Sequence, residues 1–162
     1  MSTVWQQVSA TVVAEFADIT NVVEVTRLMV RLSLAAILGA ILGFERELQG
    51  KEAGVRTHML VAIGSAIFMI IPMQIGVQPA ELTRVIQGMV TGVGFLGAGM
   101  ILKSEAENRV HGLTTAAGLW MTSAIGMTAG LGREFSAILC TLLALIVFSV
   151  MPRIVRMFEK RS

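Results

Sequence analysis

The sequence predicts an all-α integral membrane protein with five transmembrane helices, and three observations predict it. Of 162 residues, 54% are hydrophobic and 15% charged, with a mean hydropathy of +0.74; soluble domains carry about a quarter charged residues. Four apolar stretches, residues 58–76, 82–102, 113–131 and 135–151, are each long enough to cross a hydrocarbon core of ~30 Å as a helix. Finally, nine of the 13 Lys and Arg residues fall in alternate connections: Arg46, Lys51 and Arg56 in the first loop, Lys103 and Arg109 in the third, and Arg153, Arg156, Lys160 and Arg161 in the tail. The positive-inside rule assigns those three regions to the cytoplasm, which sets the N-terminus outside and requires an odd number of spans.

In chain order, residues 1–21 read as an amphipathic lead-in. Val4, Val8, Val12 and Phe16 recur every fourth residue beside Trp5, the pattern of a helix lying on a membrane surface. Glu15, Asp18 and Glu24 interrupt the opening, so no cleavable signal peptide is expected. Residues 22–152 form the transmembrane domain. Its first apolar run, residues 33–44, is too short to span alone and extends back to Val22, drawing Glu24, Arg27 and Arg31 into the helix. A charge inside a span is costly and marks a functional candidate; Arg31 is the deepest, with snorkelling to the headgroups as its plain alternative. Residues 153–162 are a short basic cytoplasmic tail. Cys140, the single cysteine, lies in the last apolar run and excludes an intrachain disulfide.

A displacement of 58 residues aligns Leu34 through Met69 with Gly92 through Met127 without a gap and matches ten of 36 positions, among them Gly39 with Gly97, Glu47 with Glu105, Thr57 with Thr115 and Ser65 with Ser123. Average composition gives roughly three or four. The reading is two helical hairpins running in the same direction, related by a pseudo-twofold axis along the membrane normal, with coincidence among Gly, Ala and Ile as the alternative.

Gly92, Gly94 and Gly97 satisfy G-x-G-x-x-G, but a dinucleotide fingerprint must follow a strand and open a helix, and these residues lie inside a span. Together with Gly39, Gly43 and Gly99 they are expected at helix interfaces, where small residues admit close approach, within the chain and in a homodimer. At the cytoplasmic face Glu45, Arg46, Gly54, Arg56 and Thr57 surround the first loop, and Asn108, Arg109, Gly112, Thr114 and Thr115 surround the third. Thr57 and Thr115 are expected to cap the helices that follow, whose N–H groups favour anions. The two helix starts, ringed by Glu45, Arg56, Asn108 and Arg109, form a candidate site for a phosphate, a headgroup or a hydrated cation, or else are ordinary loop ends. Thr114, Thr115, Thr122, Ser123 and Thr128 offer either interhelical hydrogen bonds or a polar pathway. No catalytic constellation, cofactor motif, buried carboxylate pair for a metal or nucleic-acid patch is legible.

Arg31-Leu, the later Gly-Phe-Glu45-Arg46-Glu47, Gly54-Val-Arg56-Thr57, Gly92-Val-Gly-Phe-Leu-Gly-Ala-Gly99 and Val110-His-Gly-Leu-Thr-Thr-Ala-Ala117 before Trp120 resemble the MgtC/SapB family in order and spacing from about Arg27 to Leu131. The resemblance implies a multi-pass protein of the bacterial inner membrane, linked to growth at low magnesium and to virulence, that modulates membrane ATPases without being an enzyme. It carries over to Arg31, Glu45, Arg46, Gly54, Arg56, Thr57, the glycines of the third span, Gly112, Thr114, Thr115 and Trp120. His111 departs from the family's more usual basic residue. Longer members add a soluble C-terminal domain, and the expectation here is the membrane domain without it. The expected partners are the lipid bilayer and a membrane ATPase or other membrane protein. The competing expectation, from a different class, is a small transporter or channel with its site between the two repeats.

Overall fold

The computed structural model describes residues 3–15, 21–104 and 109–159, leaving aside the side chains of residues 102–104, 109, 155, 156 and 159. The chain divides into two compact units, Met1–Val30 and Arg31–Ser162. The first contains α1 (Val4–Glu15) and the opening of α2 (Val22–Leu48). No residue of α1 is buried; Val4, Trp5, Val8, Val12 and Val13 are all exposed, and Phe16 lies outside the described residues.

The second unit begins at Arg31 and continues through α3 (Val55–Gln74), α4 (Pro79–Gly99), a two-stranded antiparallel sheet of β1 (Leu102–Ser104) and β2 (Arg109–His111), α5 (Leu113–Gly130), α6 (Glu134–Ser149) and α7 (Met151–Glu159). The stretches read as spans from residue 58 onward are each a helix here. Among the described residues three segments are long and apolar enough to cross a membrane: Val22–Leu48, Val55–Gln74 and Glu134–Ile154. The remaining two expected spans, α4 and α5, are diluted by Gly, Thr and Ser. Ile37, Ile41, Phe44, Leu60, Phe68, Ile71, Leu139, Leu142, Leu143, Ile146 and Val147 are exposed on the outer helix faces, a surface suited to hydrocarbon rather than water.

Helix α5 is the centre of this unit, packing on α3, α4 and α6. Its buried side carries Leu119 and Ile125 among many small residues, including Gly118, Ser123, Gly126, Ala129 and Gly130. That composition lets backbones approach until there is no room for a side chain. A Cβ at Gly126 would strike the Ala62 carbonyl oxygen, and one at Gly130 that of Ala66. Ser65 and Ser123 share a buried hydrogen bond of 2.8 Å between their hydroxyls. Contact positions on α3 and α5 rise together, so these two helices run parallel. Within each hairpin the order reverses. A Cβ at Gly39 of α2 would stand 2.7 Å from the His58 carbonyl oxygen, and one at Gly97 of α4 would stand 3.4 Å from the Ala116 side chain. The second contact lies 58 residues beyond the first, the separation that also divides Ser65 from Ser123.

The glycines are used unequally. Gly43 meets Val55, with its would-be Cβ 2.6 Å from that Cα, whereas no atom lies within 4 Å of one built at Gly92, Gly94 or Gly99. Helix α4 turns Val93 and Gly97, one helical turn apart, to the interior. The neighbouring row of Gly88 and Gly92 therefore faces outward, correcting the interface position expected for Gly92, Gly94 and Gly99 within this chain.

Two further differences concern loops. The third connection is a hairpin rather than an irregular loop, and it is closed by Gly112 at φ 88°, where a Cβ would collide with the Met100 carbonyl oxygen. The basic tail begins as helix α7, whose early Pro152 suits a first turn.

Candidate functional site

At one end of the second unit the close of α2, the first loop, the start of α5 and the end of α6 converge. Arg46 comes from the last turn of α2 and is 2% exposed. Its position follows from the stripe Ala35, Leu38, Gly39, Leu42, Gly43 and Arg46, spaced three and four apart along the buried face. The guanidinium carbon sits 4.5 Å from the centroid of the Phe148 ring, a cation–π contact. Its Nη1 donates to Gln49 Oε1 at 3.2 Å, while Nε and Nη2 have no hydrogen-bond partner among the described residues. Such buried donors are rare and costly unless water or a ligand meets them.

Gln49 organises the rest. Its Nε2 donates to Glu45 Oε1 at 2.8 Å and to the Phe148 carbonyl at 3.0 Å. Glu45 also accepts from the Ser149 hydroxyl at 2.6 Å. A short polar chain thus ties α2 to α6 and fixes the Phe148 ring under Arg46. His58 is fully buried; its Nδ1 lies 3.0 Å from the Gly54 carbonyl, and its Nε2 has no partner among the described residues.

The two related helix starts differ. At α3 the N-cap is Gly54, and the Glu47 carboxylate accepts from the Val55 N–H at 3.0 Å. Thr57 is therefore in the third helical position and exposed, so it does not cap. At α5 the N-cap is Gly112, which brings no side-chain cap; Thr115 is again third, and the counterpart of Glu47, Glu105, lies outside the described residues. The start of α5 opens on a cavity of about 420 Å³ lined by Arg46, Lys51, Glu52, His111, Thr114 and Thr115, among others. A second cavity of about 420 Å³ shares Arg46, Lys51 and Thr114 and is walled by Leu48, Val147, Phe148 and Pro152.

Of the expected site residues, Arg46, Thr114 and Thr115 meet at the cavity. Glu45 is engaged with Ser149 and Gln49 instead, and Arg56 is exposed on α3 and lines neither cavity. Asn108 lies outside the described residues, as does the Arg109 side chain. Arg31 is at the other end of α5, where Nη1 donates to the Gly130 carbonyl at 3.1 Å and the guanidinium packs against Gly132, whose φ is 73°. It is a C-terminal cap for α5. Among the expected hydroxyls, Thr122 and Thr128 donate to the carbonyls of Gly118 and Ala124 in their own helix, and Ser123 crosses to α3. The sequence reading did not single out Gln49, His58, Phe148 and Ser149; only His58, a lone imidazole at the head of an apolar run, carried a signal.

A profile of the MgtC family matches residues 32–157. The chain belongs to the MgtC family. Among its relatives in that family, SrpB of Synechococcus elongatus is 41% identical over 137 residues, covering 78% of this chain and 75% of SrpB. The Escherichia coli protein named "Putative magnesium transporter YhiD" is 42% identical over 132 residues, covering 75% of this chain and 59% of that protein. Protein MgtC of Brucella abortus is 39% identical over 128 residues, covering 79% and 52%. The chain thus spans little more than half the length of YhiD and of Brucella MgtC. No solved structure matches it.

Proposed function

We propose that this MgtC-family chain is a five-span protein of the bacterial inner membrane, with the N-terminus outside and the C-terminus in the cytoplasm. In this reading it acts in magnesium homeostasis or low-magnesium adaptation as a regulator that is not an enzyme. Family membership and the magnesium-related name of one relative support the biological setting. The shared end of α2, the third connection and α6 supports the topology, because it gathers the regions richest in Lys and Arg.

The observation that carries the regulatory reading is the closed seam between α3 and α5. Gly126 against Ala62, Gly130 against Ala66 and the mutually satisfied Ser65–Ser123 pair pack α3 closely on α5 along the interface where a transporter of this architecture would bind its ion, which supports regulation over transport. The exposed apolar helix faces are then the surfaces for a membrane ATPase, another membrane protein or a second copy. Purified protein in liposomes, assayed for flux of magnesium, phosphate and protons, tests this directly. No flux together with crosslinking to a membrane complex in cells starved of magnesium is expected. Saturable flux that Arg46→Met or Arg31→Ala abolishes would replace regulation with transport.

A further inference from the structure

We infer that the cavity at the start of α5 is a binding site for a phosphate-type oxyanion, held between the Arg46 guanidinium and the first-turn N–H groups of α5. Two independent features converge there. The cavity contains a cation that is 2% exposed, fixed against Phe148 at 4.5 Å and with two nitrogens unpartnered among the described residues. It also contains the N-terminus of an 18-residue helix whose N-cap, Gly112, brings no side chain of its own, and where the dipole and first-turn N–H groups favour negative charge. The first intrahelical bond there runs from the Ala116 N–H to the Gly112 carbonyl at 2.8 Å, leaving the N–H groups of Leu113, Thr114 and Thr115 outside the helical ladder.

The balance of charge selects an anion over a cation. Among the described lining residues Lys51 and Glu52 are both exposed and offset one another, which leaves the buried Arg46 as the charge that faces the cavity. A planar guanidinium matches phosphate with two parallel N–H donors. The volume, about 420 Å³, lies in the range of small-molecule sites, roughly 300–1,000 Å³, so it accommodates a phosphate carrying an organic group. That chemistry has two sources, a soluble phosphate or the headgroup of an anionic lipid; the apolar wall of Leu48, Val147 and Phe148 in the adjoining cavity lies where an acyl chain would run. The inference does not depend on whether the protein regulates or transports.

The test is thermal unfolding of the purified full chain in neutral detergent. Millimolar inorganic phosphate, or phosphatidylglycerol added in place of phosphatidylcholine, is expected to raise the unfolding midpoint by a few degrees over chloride at equal ionic strength. Response to phosphate identifies the soluble source and response to phosphatidylglycerol alone the lipid one. Arg46→Met should abolish the shift. Thr114→Glu keeps a residue suited to a helix start but sets a carboxylate at the rim, and should weaken binding by about tenfold or more. Arg56→Gln should leave the shift intact. The inference is overturned if neither additive moves the midpoint, as a cavity holding only water would behave, or if Thr114→Glu and Arg46→Met respond as the unaltered chain does.

Discussion

At the scale of single residues, the glycines separate cleanly by what surrounds them. Gly126→Ala and Gly130→Ala drive a methyl into the backbone of α3, and each should destabilise by about 1–3 kcal/mol, as overpacking does. Gly92→Ala meets nothing within 4 Å and should be neutral within about 0.5 kcal/mol. Unfolding midpoints in detergent measure the contrast, and equal effects at Gly92 and Gly126 would contradict the packing. Arg31→Ala removes the α5 C-cap and should cost about 0.5–1 kcal/mol, whatever it does to activity. Legibility at this scale was uneven. Arg46, Thr114 and Thr115 were recognisable because charge and hydroxyls stand out beside apolar runs. Whether a glycine faces a helix or open space is fixed by the rotation of α4, and periodicity alone leaves that rotation undetermined.

At the scale of elements, helix existence was read well from residue 58 onward because sustained hydrophobicity is a strong signal. The β1–β2 hairpin and α7 escaped, being short and bounded by charges that read equally as loop. Cap assignment also escaped: Thr57 has the right residue type, but α3 starts at Val55, and a carboxylate from the preceding helix does the capping. Glu47→Ala should therefore loosen the α2–α3 turn at a cost of about 0.5–1 kcal/mol, read as faster amide exchange at residues 55–57, while Thr57→Val leaves exchange there unchanged. Between α3 and α5 the hydroxyl pair can be isolated by a double-mutant cycle. Ser65→Ala and Ser123→Ala should each destabilise, and the double variant should recover a coupling near 0.6 kcal/mol, typical of buried hydrogen bonds in membrane bundles. Strict additivity would mean that each hydroxyl is satisfied elsewhere.

For the whole molecule, the decisive prediction is topology. Cys140→Ser leaves a cysteine-free background. In intact cells an impermeant thiol reagent should then label a cysteine at Gln78, in the second connection, and reach one at Lys51 only after permeabilisation. The reverse pattern would invert the orientation drawn from the Lys and Arg distribution, and labelling at both would refute an intervening span.

The Ser65–Ser123 bond has a consequence for history as well as stability. Its partners are separated by the same 58 residues that align the two halves. Were the halves descendants of one ancestral hairpin, this would be a serine that once met its own copy across a dimer axis, and duplication with fusion would have turned a concentration-dependent assembly into an intramolecular one. Once fused, the halves were free to diverge without losing their register. Helix α2 could place Arg46 beside the start of α5, while the matching position in the other half became Ser104, a division of labour that two identical subunits cannot adopt.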